Sequence, residues 1–118
     1  MTLSLDHQQR LYLHALMGAQ RVPLGDLRVL WKLQDRIDLS DEEREAIGFK
    51  IDSINGTEVP GWDRTKTLEP REYEFSEPEA MRVRKIIEEW PGFFAGGDRR
   101  WLQSVLAQLP ENSQNGHQ

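Results

Sequence analysis

The chain has 118 residues, a net charge of −5, 37% hydrophobic and 30% charged side chains, and no cysteine. That length fits one domain and leaves no room for two independent cores, while the missing cysteines remove disulfides, thiol nucleophiles and thiolate metal sites. No uninterrupted apolar stretch approaches the roughly 18–20 residues that span a bilayer, and Met1-Thr2-Leu3-Ser4-Leu5-Asp6 lacks the basic start and apolar run of a signal peptide, so the expectation is a cytoplasmic protein with no membrane contact.

The first predicted helix runs from about Leu5 to Met17 and ends at Gly18. Leu11 and Leu13 lie about 200° apart on a helical wheel, so this helix is apolar on two sides. Such a helix is either central in the core or shared with another chain. The second predicted helix begins near Pro23, a residue tolerated in the first turn because its missing N–H is not needed there. It carries Leu24, Leu27, Leu30, Trp31, Leu33 and Ile37 and leaves Arg28, Lys32, Asp35 and Arg36 for solvent. These two helices carry more apolar surface than a small sheet can cover, which makes a symmetric homodimer a reasonable expectation. Ser40-Asp41-Glu42-Glu43 has the Ser-x-x-Glu spacing of a capping box and predicts a short helix over 41–47, closed by Gly48.

Asn55-Gly56, set between Ile51-Asp52-Ser53-Ile54 and Thr57-Glu58-Val59, predicts a hairpin with a two-residue type I′ turn. Ile54 then faces Thr57, Asp52 faces Val59, and Phe49 faces Trp62, while Pro60-Gly61 is expected to end regular pairing. Residues 61–70 read as an irregular loop. Arg71-Glu72-Tyr73-Glu74-Phe75 alternates charge with aromatic and reads as a third strand. A second capping box, Ser76-Glu77-Pro78-Glu79, starts a helix whose stripe of Ala80, Val83, Ile87 and Trp90 stops at Pro91-Gly92. Asp98 is the expected N-cap of a fifth helix carrying Trp101, Leu102, Val105, Leu106 and Leu109. The fold class is therefore α+β: about five helices packed with a small antiparallel sheet, one domain over 1–109 and a disordered tail over 110–118.

Charge is uneven along the chain. Residues 1–36 hold five basic and three acidic side chains, residues 37–80 five and 13, and residues 81–118 five and four. The middle segment, at −8, is ill suited to a phosphate backbone and better suited to a basic partner surface. Within it Glu42, Glu43 and Glu45 are the candidate contact residues.

Chemistry-bearing patterns are sparse. His7 and His14 share a helix face, but a metal needs further ligands and no HExxH-type spacing supplies them, so no metal or other cofactor is expected. Adjacent carboxylates such as Glu88-Glu89 lack the opposed placement that acid–base pairs need. No serine has a readable histidine partner, and P-loop and Rossmann glycine patterns are absent. Gly96-Gly97-Asp98-Arg99-Arg100-Trp101 places two arginines at a helix start, where an anion or nucleotide could be held by Arg99 and Arg100 with Trp101 stacking on a base. The opposing consideration is Asp98, which as a cap takes the same N–H groups and repels phosphate. Phe93-Phe94 between glycines is either an exposed anchor for a partner or a plug between the last two helices.

The succession Arg10-Leu11-Tyr12-Leu13, Leu27-Arg28-Val29-Leu30-Trp31-Lys32-Leu33, Leu39-Ser40-Asp41-Glu42-Glu43 and Ile47-Gly48-Phe49, followed by Tyr73-Glu74-Phe75-Ser76-Glu77 and an apolar helix, resembles small accessory proteins encoded by phages and prophages. The resemblance spans about residues 5–109 and carries over no catalytic or binding residue. It implies a non-enzymatic protein that binds a larger host or phage protein, including as an inhibitor of an antiviral defence system by steric blockade. Its contact surfaces would be the acidic middle segment and the Phe93-Phe94 loop. Two other readings stand beside it. One is a ligand or nucleotide binder built on Arg99, Arg100 and Trp101. The other is a nucleic-acid binder using Arg28, Lys32, Arg36, Arg82, Arg84 and Lys85, a reading that the acidic middle segment disfavours, or a phage assembly factor, which would show as self-association.

Overall fold

In the computed structural model, which describes residues 1–93 and 95–111, the order is β1 (Thr2–Leu5), α1 (His7–Gly18), α2 (Leu24–Ile37), α3 (Asp41–Ala46), β2 (Lys50–Ile54), β3 (Thr57–Gly61), β4 (Arg71–Glu74), α4 (Glu77–Glu89) and α5 (Arg99–Gln108). Phe94 and residues 112–118, most of the expected tail, lie outside the described residues. The class is α+β, with five helices and two separate two-stranded antiparallel sheets.

Local chemistry sets most of the boundaries. Both predicted capping boxes are present: Ser40 and Ser76 each accept from the backbone N–H of the glutamate three residues on, and those glutamates accept from the serine N–H at 2.9 and 2.8 Å. A third box starts α1. Asp6 accepts from Gln9 N–H at 2.8 Å and Gln9 Oε1 accepts from Asp6 N–H at 2.9 Å, so the helix begins at His7 rather than at Leu5. Leu5 belongs instead to β1, a strand the sequence reading overlooked.

That strand changes the sheet. The strand predicted at 71–75 exists, but it does not join the hairpin; β4 pairs with β1, Thr2 opposite Glu74 and Leu5 opposite Arg71. Leu3 and Leu5 are both fully buried, which fixes the register, since a one-residue slip would turn them to solvent. The hairpin stands apart as the second sheet. Asn55 (φ 52°) and Gly56 (φ 79°) form its turn with the positive φ pair of type I′, and Ile54 faces Thr57 and Asp52 faces Val59 as predicted.

Regular pairing ends at the Pro60-Gly61 step, as the sequence predicts, but includes both residues. It continues through Pro60, opposite Ile51, to Gly61, opposite Lys50. Counting from the turn, the 51–60 pair is a non-hydrogen-bonded one, so the N–H that proline lacks would point away from β2 and is not missed. The ladder ends there, one pair short of Phe49–Trp62. Those two rings still share a cluster, but Trp62 meets Tyr12 and His7 edge-on at 5.9 and 5.8 Å.

The two-sided apolar character of α1 is explained by its central place. Leu13, Leu16 and Met17 enter the main core with β1, α2, α4 and α5, while Leu11 faces a smaller cluster with Leu39, Ile47 and Trp62. Tyr12 packs against both clusters, so the smaller one is a satellite and not an independent core. Of the four tryptophans, Trp62 and Trp101 are buried, Trp90 is half-buried and Trp31 is exposed.

Candidate protein-binding surface

The acidic middle segment is held in place by a buried cation from α1. Arg10 is 1% exposed, an unusual position for a guanidinium unless every donor is met. Its Nε–H donates to the Ile37 carbonyl at 2.9 Å and Nη2 to the Asp38 carbonyl at 2.8 Å, satisfying carbonyls left open at the end of α2. Nη1 and Nη2 also form a two-point bond with the Glu43 carboxylate at 2.7 and 3.0 Å. One side chain thus ties α1 to the α2 terminus and the α3 start.

The same device recurs one helix along. Arg36 of α2 donates to both oxygens of Glu79 at 2.8 and 3.0 Å, so each serine-led capping box is clamped by an arginine from another helix. These bonds, foremost among the causes, hold the Glu43 and Glu79 carboxyls down at about 2. Glu43 is therefore engaged within the fold, its side chain 16% exposed, which sets it apart from Glu42 and Glu45, the residues it was grouped with. Those two neighbours are exposed, and the Asp41 side chain is 100% exposed.

Beyond Gly48, which turns the chain with φ 64°, comes the hairpin. It is anchored at its base: Asp63 N–H donates to Ile47 O and Phe49 N–H to Arg44 O, both at 2.8 Å. Arg64 stacks over the buried Trp62 ring at 3.8 Å. Further out, Ile51 and Ile54 are 54% and 58% exposed, a degree that apolar strand residues adopt when no partner covers them.

The edges of the two sheets are treated differently. On β1, the Gln108 side chain of α5 accepts from Ser4 N–H at 2.6 Å and donates to Ser4 O at 3.0 Å, filling a strand's place. On β4, Arg36 donates to Glu74 O at 3.1 Å. In the hairpin, Pro60 removes a donor from the β3 edge. The β2 edge keeps its donors, and among the described residues no bond reaches the outward groups of Ile51 and Ser53. An unpaired edge with intact N–H and C=O groups is a template for another strand. Sequence reasoning missed this edge; Pro60 was the available signal, because proline marks the outer side of a strand.

The remaining candidates are distributed elsewhere. Phe93 is half-buried, its ring 6.4 Å from Trp90 and 6.2 Å from Trp101, which places it as a plug between α4 and α5. Phe94 lies outside the described residues. Trp101 is 4% exposed and tilts against Tyr12 at 5.2 Å, so no face of its ring is open to a base. Its indole N–H donates to the Asp98 carboxylate at 2.9 Å. Asp98 is the N-cap of α5, as expected, its carbonyl accepting from Leu102 N–H at 3.1 Å, but its side chain makes no capping bond to the helix's first N–H groups. Arg99 and Arg100 are exposed, beside a tryptophan that faces away from them into the core.

The basic residues of the nucleic-acid reading are divided. Arg36, Arg82 and Arg84 pair with Glu79, Asp26 and Glu88, whereas Arg28, Lys32 and Lys85 are exposed. A shallow groove of about 140 Å³ between the start of α2 and α4 is bordered by Asp26, Glu89, Arg82 and Lys85, charges of both signs. His7 is held below its ordinary pKa chiefly by burial, and its Nδ1 lies 3.5 Å from Leu68 N–H. His14 lies 3.9 Å from Asp38. Among the described residues no three His, Asp or Glu side chains converge as a metal site, and no helix is long and apolar enough to cross a membrane.

No protein-family model matches the chain, and neither the curated proteins nor the solved structures contain a significant match.

Proposed function

We propose that this is a non-catalytic binding protein of the phage accessory type, which acts inside a bacterial host cell by covering a surface of a larger protein. The blocking of a component of an antiviral defence system is the specific form we favour. The observation that carries the reading is the open β2 edge, with Ile51 and Ile54 exposed, next in sequence to Glu42 and Glu45 on α3. In the other sheet, by contrast, side chains reach both edges, Gln108 bonding Ser4 N–H and C=O on β1 and Arg36 bonding Glu74 O on β4. A partner segment adding to β2 would gain backbone bonds from the edge and charge complementarity from the acidic helix, provided it is extended and basic.

Affinity capture from a bacterial lysate tests this. The wild-type chain should recover one specific protein, and Glu42→Lys with Glu45→Lys should lose it while leaving the unfolding midpoint unchanged. Capture that survives both reversals would remove the acidic helix from the interface. Glu43 is left out of this test, because its reversal would break the Arg10 bond and confuse lost binding with lost folding.

A further inference from the structure

We infer that the outer face of α2 is a self-pairing surface, and that two copies of the chain associate through it about a two-fold axis passing near Trp31. Leu24 and Trp31 are 57% and 49% exposed and lie seven residues apart on one helix. On a helical wheel, Leu24, Arg28, Trp31 and Asp35 fall within about 60° of arc, so they form one narrow stripe. Leu27, half-buried, borders it. The stripe points away from Leu30, Leu33 and Ile37, which fill the core from the opposite side of the helix.

Charge identifies the occupant as a second copy. In an antiparallel helix pair whose two-fold axis passes between Trp31 and Lys32, position 28 faces position 35 of the other copy. Arg28 of one copy then meets Asp35 of the other, and the relation repeats on the far side of the axis. Two cross-chain ion pairs flank a tryptophan–tryptophan contact, which is the self-complementarity an isologous interface demands. Both charges are available: among the described residues Arg28 and Asp35 are exposed and have no ion-pair partner within their own chain. The surrounding segment 1–36 carries a small positive excess, so two copies meet here without the mutual repulsion of their −8 middle segments. A 14-residue helix is about 21 Å long, which puts the contact at the small end of specific interfaces and the dimer in the weak, concentration-dependent class.

Sedimentation equilibrium on the full chain, from roughly 5 to 500 µM, brackets the affinities expected of such an interface. The wild type should shift from monomer to dimer over this range, and Trp31→Glu should stay monomeric with unchanged circular dichroism. Arg28→Asp should weaken association roughly tenfold, and combining it with Asp35→Arg should restore it, because the swapped pairs are again opposite in sign. A wild type that stays monomeric throughout overturns the inference. So does a dimer that persists in Trp31→Glu, or a swap that fails to restore pairing. If the wild type stays monomeric and Trp31→Glu loses a captured protein instead, the face belongs to that protein and the inference fails.

Discussion

Arg10 shows how one side chain can be structural by virtue of its charge. Its guanidinium replaces water at two α2-terminal carbonyls and at Glu43, so truncation would take these bonds from both carbonyls and leave the half-buried carboxylate only the Ser40 N–H and Arg71 at 3.7 Å. Arg10→Ala should therefore cost about 3–5 kcal/mol in urea unfolding, the range for breaking a buried pair from one side. Arg10→Lys should recover only part of it, since an ammonium cannot span both carboxylate oxygens while reaching the carbonyls. A loss below about 1 kcal/mol for the alanine variant, as at an exposed ion pair, would contradict this assignment.

The same glutamates set the acid response. Glu43 and Glu79 both titrate near 2 in the folded chain, below their ordinary 4.5. For a depressed carboxyl, the stabilisation is complete above the unfolded value and is lost as pH falls through the folded one. Stability should thus decline between about 4.5 and 2. A chain carrying Glu43→Gln and Glu79→Gln should be less stable at neutral pH and lose less on acidification. Parallel curves for the two proteins would refute the linkage.

At the scale of elements, the two sheets have opposite duties. β1 and β4 are part of the core, so Leu3→Ala, at a fully buried site, should cost about 2–5 kcal/mol. The hairpin leans outward, and Ile54→Ala should change global stability by less than about 0.5 kcal/mol while weakening partner capture. Comparable losses at both sites in denaturant titration would mean that the hairpin is covered by the fold. Gly56→Ala should open the turn, because alanine at φ 79° is strained, and increased amide exchange confined to 50–61 would show it.

This division was only partly legible in the sequence. The capping boxes at Ser40 and Ser76 and the Asn55-Gly56 turn were readable because each is closed by residues three or fewer positions apart. β1 was not, since four residues carry little periodicity and its partner Glu74 lies 72 positions from Thr2. The role of Arg10 carries no local signal, because its acceptors lie 27 to 33 residues further on. The tie between Glu43 and Arg10 is hidden from the sequence for the same reason. The two exposed neighbours of Glu43 look identical to it in sequence, and a distant arginine separates their roles.

Across the whole molecule, α1 divides a large core from a satellite cluster, and the body extends over 45 × 31 × 31 Å. The satellite, with Ile47 fully buried and Trp62 nearly so, roots both α3 and the hairpin. The acidic helix and the open strand edge are therefore carried on one shared footing, while the α2 stripe faces solvent from a separate element. Because these two surfaces are distinct, the proposed dimer would not exclude the proposed complex with a larger protein.

Amide hydrogen exchange of the captured complex against the free chain tests the binding surface most directly. The account predicts new protection within 41–61, strongest at the Ile51 and Ser53 amides, as an added strand engages them. Protection confined to other segments, or a complex whose β2 amides exchange as fast as in the free protein, would contradict it.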